Sequence, residues 1–217
     1  MKRLITLLTA VAAILVMAIA AAAVRAEGGD DSSGENSTPA TQNQSCADRK
    51  AEDDRFARVS DSGEGTEGSD NHQGTTGNDT FSGLGGDDNE QGGQGDDELN
   101  GDQGDDDLCG DQGDDDLNGG PGNDSLKGGS GNDKLVGGSG DDNEQGNSGN
   151  DDLEGDSGND NLNGGKGNDH VAGGAGNDVI NVRDGQRDVV NCGRGFDRVK
   201  ADRKDRIARN CESVKRG

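Results

Sequence analysis

Apolar residues follow two distinct patterns along the chain. The first is a run from Leu4 to Val24, interrupted only by Thr6 and Thr9, which follows Lys2 and Arg3 and ends two residues before Ala26. The second begins at Gly74, where one position in every nine is apolar and lies among Gly, Asn and Asp. Because side chains alternate between the two faces of a strand, a lone apolar residue between polar neighbours predicts a short strand with one buried side chain.

The amino-terminal pattern is typical of a secretory signal peptide covering residues 1–26, with a positive start, an apolar run and a small-residue end. The apolar run is also long enough to span a bilayer, so an uncleaved membrane anchor is the alternative interpretation. Under either interpretation the rest of the chain is exported, and no membrane contact is expected after cleavage. Residues 27–73 are polar and low in complexity, which predicts a flexible linker.

Residues 74–181 form twelve consecutive nonapeptides without an insertion. Gly occupies the first and fourth positions of every copy, Asn or Asp the fifth, and an apolar residue the eighth position in ten copies. Such a register predicts a solenoid, since one unit cannot bury its apolar stripe alone and stacked units make the stripe continuous. The sixth position is always aspartate: Asp79, Asp88, Asp97, Asp106, Asp115, Asp124, Asp133, Asp142, Asp151, Asp160, Asp169 and Asp178.

The composition excludes several classes of function. Only 25% of the residues are hydrophobic and there is no Trp, too little apolar surface for an ordinary globular enzyme core. No nucleophile elbow or phosphate-binding loop occurs, so we expect no catalytic residues and no enzyme. The net charge of −24 argues against nucleic acid as a partner.

The charge lies in the repeats and indicates a cation partner. Residues 74–181 hold 27 acidic side chains and three lysines, whereas acids and bases balance elsewhere. Carboxylate and carbonyl oxygens suit calcium, not a transition metal. Without a cation, carboxylates stacked at strand spacing repel, so metal binding and folding are expected to be one event.

The repeat G-G-x-G-x-D-x-U-x resembles the RTX, or hemolysin-type, calcium-binding nonapeptide. This resemblance implies a secreted, all-β parallel β-roll of about six coils, each made of two nonapeptides. The first six residues of a copy would form a turn and the last three a strand. Aspartates 18 residues apart would then share an edge, one edge starting at Asp79 and the other at Asp88. Five gaps between turns on each edge give up to about ten Ca²⁺ ions.

Glu90 and Glu144 replace the apolar residue at the eighth position, both within the sequence GDDNEQ. An unpaired buried carboxylate is costly. Three interpretations follow: the strand turns outward locally, the glutamate binds a further cation, or the position is a tolerated defect.

Residues 182–217 are basic and form a decayed repeat. Asp188, Asp197 and Asp205 are each followed two residues later by Val or Ile, which predicts a terminal capping coil. The segment also resembles the carboxyl-terminal ends of secreted bacterial RTX-type proteins.

The chain has four cysteines. In an exported chain, Cys192 and Cys211 are expected to form a disulfide within the capping coil. Cys46 and Cys109 either pair or stay free.

These observations predict an extracellular calcium-binding module with a structural or surface role. The alternative is an adhesive or ligand-binding scaffold, which would want a row of matched exposed side chains. The third position of the repeat offers no such row, because it varies from Thr76 to Lys166 through Gln, Pro and Ser. Toxin activity is not expected either.

Overall fold

The computed structural model describes residues 63–217, which form a parallel β-roll of two nine-stranded sheets. Successive strands alternate between the sheets, so the predicted all-β roll is confirmed. The first sheet contains β1 (Gly63–Thr66), β3 (Thr80–Leu84), β5 (Glu98–Asn100), β7 (Asp116–Pro121), β9 (Lys134–Ser139), β11 (Asp152–Ser157), β13 (His170–Ala172), β15 (Val189–Asn191) and β17 (Arg206–Ile207). The second contains β2 (Asn71–Gln73), β4 (Asn89–Gln94), β6 (Asp107–Gln112), β8 (Ser125–Ser130), β10 (Asn143–Ser148), β12 (Asn161–Lys166), β14 (Val179–Val182), β16 (Arg198–Ala201) and β18 (Ser213–Arg216).

Neighbouring strands of each sheet pair in parallel, 18 residues apart within the repeats and 15 to 19 residues apart in the carboxyl-terminal segment. Leu117 aligns with Leu99 on one side and with Leu135 on the other. Two nonapeptides therefore make one coil, and the same repeat position always lies beside itself. Because a one-residue slip would turn every apolar side chain to the other face, the eighth position fixes this register.

The core is a single stack of side chains from the eighth position of the copies. They are at most 1% exposed, and comparable residues of the carboxyl-terminal segment continue the stack. These side chains are Phe81, Leu99, Leu108, Leu117, Leu126, Leu135, Leu153, Leu162, Val171, Ile180, Val190 and Val199, and Val182, Cys192 and Ala201 belong to the same core.

The strands are longer, and the turns shorter, than the sequence predicts. A typical strand, β8, includes the first three positions of the next copy, so the turn shrinks to residues 131–133. The backbone of these positions continues to pair with the adjacent coils, which a pattern of side chains does not reveal.

The second position of the repeat adopts a backbone conformation that the sequence analysis did not predict. In eleven of the twelve copies this residue has a positive φ, the left-handed region that favours glycine. Five of the eleven are not glycine: Leu84, Asp102, Asp111, Asn147 and Asp156.

The roll begins before the predicted end of the linker, because residues 63–73 form β1 and β2. Gly65, Gly68 and Asp70 occupy positions one, four and six of a thirteenth nonapeptide. Ser69 at position five and His72 at position eight obscured that copy. The predicted signal peptide, residues 27–62 of the predicted linker and Cys46 lie outside the described residues.

The carboxyl-terminal segment continues both sheets through β15 to β18, so each sheet has nine strands, more than the predicted six coils supply. Cys192 and Cys211 form the predicted disulfide, with Cα atoms 5.2 Å apart, and Cys192 is part of the core. Cys109 is disulfide-bonded as well. Residues 63–217 include no helix long and apolar enough to cross a membrane.

Candidate metal sites in the turns

The sixth-position aspartates form two rows, one along each edge of the roll. In each row, the backbone N–H of one aspartate donates to Oδ1 of the aspartate one coil further on. Asp106 donates in this way to Asp124, and Asp124 to Asp142, both at 2.8 Å. All twelve predicted aspartates take part, so the structure brings them together in the 18-residue pairing expected from the sequence.

Both rows extend beyond the predicted set. Asp70 donates to Asp88 at the start of one row, and Asp188 and Asp205 end the other. Asp197 follows Asp178 and donates in turn to Glu212. The spacing of the glycines before Asp70 could have revealed Asp70 as a row member. Asp188, Asp197 and Asp205 belong to the decayed repeat. Glu212 lies only 15 residues after Asp197, and no repeat spacing indicates it.

The second carboxylate oxygen of most row members is buried without a hydrogen-bond partner. Buried polar atoms nearly always have one, so a whole row of exceptions indicates that these oxygens bind a ligand from outside the protein. Eleven of the twelve predicted aspartates show this feature, and two residues of the carboxyl-terminal segment join them. The atoms are Oδ2 of Asp88, Asp97, Asp106, Asp115, Asp124, Asp133, Asp142, Asp151, Asp160, Asp169, Asp178, Asp188 and Asp197.

In the eleven repeat copies, these oxygens face a small space beside the first glycine of their own copy. A Cβ on Gly155 would lie 2.5 Å from Oδ2 of Asp160 and 2.7 Å from the carbonyl oxygen of Gly173. A carboxylate oxygen of one turn and a carbonyl oxygen of the next coil thus meet where a side chain would otherwise be. Two hard oxygens of this kind fit a calcium ion. The first glycine is required because it leaves this space open.

At three of the four row ends, the protein itself supplies a hydrogen-bond donor for the second carboxylate oxygen. Oδ2 of Asp70 accepts a hydrogen bond of 2.7 Å from the backbone N–H of Thr66, and Oδ2 of Asp79 one of 2.6 Å from Thr75. At the other end, Oδ2 of Asp205 accepts a bond of 2.5 Å from the N–H of Asp202. Asp79 therefore differs from the other eleven predicted residues.

The fifth-position side chains form a separate, exposed ladder. The N–H of Asp141 donates to Oδ1 of Asn123 at 2.9 Å, and the N–H of Asn159 donates to Asp141 at 2.7 Å. These bonds run in the opposite direction to those of the buried rows. The fifth position therefore ties the coils together at the surface.

Burial dominates the electrostatics of the rows. The pKa of Asp124 and of Asp133 is raised to about 7, and desolvation by burial is the largest cause. The charges of neighbouring aspartates of the same row contribute to the rise, and one backbone hydrogen bond opposes it. The calcium-free roll therefore disfavours the charged carboxylates that a cation needs, and a bound cation would remove this conflict.

Glu90 and Glu144 both point inward and are fully buried, so the interpretation that their strands turn outward is wrong. Glu90 Oε1 lies 3.3 Å from Nδ1 of His72, whose ring stacks on Phe81. Burial raises the pKa of Glu90 to about 8. Burial, and then the charges of Asp142 and Asp160, raise the pKa of Glu144 well above its ordinary range.

Within residues 63–217, no three His, Cys, Asp or Glu side chains gather into a conventional metal cage. A cation in this roll would therefore combine few carboxylates with backbone carbonyls, as the space beside Gly155 offers. The fold and these turns define a repeat solenoid with two rows of buried carboxylate oxygens that are candidates for cation binding.

The family model of the RTX calcium-binding nonapeptide repeat matches this chain in four segments, residues 64–89, 91–117, 110–143 and 145–180. These segments cover more than half of the chain, so the chain belongs to this family. They leave out residues 90 and 144, the two positions where glutamate replaces the apolar residue. No curated protein matches the chain closely enough to serve as a relative.

Proposed function

We propose that this protein is an extracellular structural module whose β-roll becomes ordered when calcium fills its turns. The observation that carries the proposal is the pair of rows of buried Oδ2 atoms without hydrogen-bond partners. Calcium supplies positive charge and binds oxygen ligands in a flexible coordination geometry. Each turn offers it one carboxylate oxygen, and the next coil adds a carbonyl oxygen.

The proposed ligands are the twelve sixth-position aspartates, together with Asp188 and Asp197. Eleven of the twelve have the unpaired Oδ2 that supports this role. Asp79 would have to exchange its hydrogen bond from Thr75 for a metal bond. We propose a capacity of about ten ions within residues 74–181, since each ion lies between two turns of one edge.

Folding and ion binding are coupled in this proposal because of the charge. The repeats hold 27 acidic side chains and three lysines, and the sixth-position aspartates lie one strand spacing apart in each row. Their repulsion disfavours the compact roll until divalent cations offset it. Ordering on ion binding is then expected, as in other domains whose sites do not exist before folding.

We propose that the protein is exported from the cell. Cys192 and Cys211 are bonded to each other and Cys109 is also disulfide-bonded, which fits an oxidising compartment. The amino-terminal pattern agrees, and extracellular calcium is high enough to fill weak sites. The acidic rows and the family's role as a structural module support neither a nucleic-acid partner nor a catalytic function.

Equilibrium dialysis of the secreted protein tests this proposal. We expect about ten calcium ions per chain at saturation, with magnesium binding far fewer because it demands a tighter geometry. The double variant Asp124→Asn, Asp142→Asn should bind fewer ions. The matched control, Asp105→Asn with Asp141→Asn, removes the same charge from the exposed ladder and should bind as many as the parent. Calcium binding below about two ions per chain would overturn the proposal.

A further inference from the structure

Glu144 is a buried carboxylate with no side-chain partner, although the backbone N–H of Gly137 favours its charged form. Its side chain is fully buried, and neither Oε1 nor Oε2 makes a hydrogen bond of standard geometry. Its paired neighbours in the sheet are Leu126 and Leu162, which offer no polar group. Burying a charged group in this way is unfavourable unless another ligand compensates it.

The carboxylate of Glu144 turns toward the oxygen-lined space of its own copy. A Cβ on Gly137 would lie 2.5 Å from Oδ2 of Asp142 and 2.8 Å from Oε1 of Glu144. At Gly155, the comparable contacts are one carboxylate oxygen and one carbonyl oxygen. The turn of Gly137 thus brings Oδ2 of Asp142 and Oε1 of Glu144 together, two carboxylate oxygens that make no hydrogen bond of standard geometry.

Glu90 also replaces the apolar residue at the eighth position, but it has a polar partner. It has the same GDDNEQ context and is equally buried, but His72 of the preceding coil lies 3.3 Å from Oε1. The aligned residue one coil before Glu144 is Leu126 instead. Of these two glutamates, only Glu144 combines complete burial with two oxygens that make no hydrogen bond of standard geometry.

We propose that Glu144 is a second carboxylate ligand in the turn of Asp142, and that this turn binds a divalent cation more tightly than the turns with one carboxylate. The inference rests on the proposed calcium binding of the roll. The affinity of calcium sites rises with the number of charged ligands. Glu144 thus occupies the core-facing eighth position of the repeat and reaches the turn with its carboxylate.

Calcium titration against a competing chelator tests this proposal with a matched pair of variants. Glu144→Gln keeps the shape and removes the charge, and should weaken the tightest site by about tenfold or more, because one charged ligand is lost. Asp141→Asn removes one charge from the same turn at the exposed fifth position, where asparagine is common, and should leave that site unchanged. Equal affinity of the tightest site in Glu144→Gln and the parent would overturn the proposal.

Glu144→Leu provides a second test that does not depend on a buried amide. It restores the apolar residue of the other copies, so the calcium-free roll should become easier to fold while the tight site is lost. If Glu144 were only a defect, Glu144→Leu would instead tighten the first calcium bound, because less folding energy would be needed. A parent that binds calcium in ordinary sites with no tighter one contradicts this inference alone, whereas a parent that binds none contradicts the proposed function.

Discussion

The backbone N–H of Asp124 donates a 2.8 Å hydrogen bond to Oδ1 of Asp142, whose Oδ2 is buried without a hydrogen-bond partner. One oxygen of the carboxylate thus ties two coils together, and the other remains available to a cation. Because the two oxygens have separate tasks, substitutions can separate the structural role of these aspartates from their proposed role as ligands.

Asp124→Asn should keep the hydrogen bond that ties two coils together and lose the charged metal ligand. Its Oδ1 still accepts from the N–H of Asp106, but the charge at the proposed site is gone. We expect one or two fewer calcium ions at saturation, since Asp124 borders two gaps, and a higher calcium midpoint for folding. Dialysis beside a folding titration measures both quantities, and an unchanged ion number would show that Asp124 is not a ligand.

Leu126→Ala is the matching change in the core of the same copy. Leu126 is fully buried and lies two residues from Asp124, so its truncation should cost about 2–5 kcal/mol of folding free energy. The calcium midpoint should rise, but the number of ions at saturation should equal that of the parent. A lower ion number in this variant would mean that core packing and ion binding cannot be separated.

The calcium-free chain should gain order as the pH falls. Burial raises the pKa of Asp124, Asp133 and Asp160 to about 7 in the folded roll, above the ordinary value of 3.8. Protonation therefore favours the folded state, and this contribution is lost as the pH rises through about 7. Circular dichroism of metal-free protein between about pH 8 and pH 5 should show increasing β signal. The calcium midpoint should rise over the same range because protons compete for the carboxylates, and a midpoint independent of pH would contradict the assignment.

The disulfide of the carboxyl-terminal segment should stabilise the roll. Cys192 and Cys211 are separated by 19 residues, and loop-closure entropy gives roughly 3 kcal/mol for a bond of this span. The double variant Cys192→Ala, Cys211→Ala should need more calcium to fold, while the bond of Cys109 remains as an internal control. An unchanged midpoint would show that the segment does not limit folding.

Leu84→Gly should stabilise the roll although Leu84 is 40% exposed. Leu84 has a φ of 72°, a conformation that costs leucine about 1 kcal/mol and glycine almost nothing. We expect a slightly lower calcium midpoint, measured by circular dichroism. Gly129→Leu at the same position of another copy is the opposite control and should raise it strongly, because a Cβ there would also meet the carbonyl of Asp111.

The sequence predicted the regular features of the fold and missed those that depend on neighbouring coils. Strict spacing was enough to predict a solenoid with one apolar stripe, because the stripe follows from one residue type at one position. The two-nonapeptide coil and the two rows of aspartates followed from the resemblance to the RTX repeat. The coil of His72 and the role of Glu212 were missed, because each departs from that spacing. The left-handed second position was missed because Leu84 and Asp102 conceal what glycine shows in other copies.

The central claim is that calcium orders this roll, and circular dichroism of the mature chain tests it most directly. In the absence of divalent ions at neutral pH, the spectrum should be that of a disordered chain. Calcium at about 10⁻⁴ to 10⁻³ M should induce the β signal, and magnesium at the same concentration should not match it. A spectrum that stays disordered up to about 10 mM calcium, or one that is already fully β without it, would contradict the account.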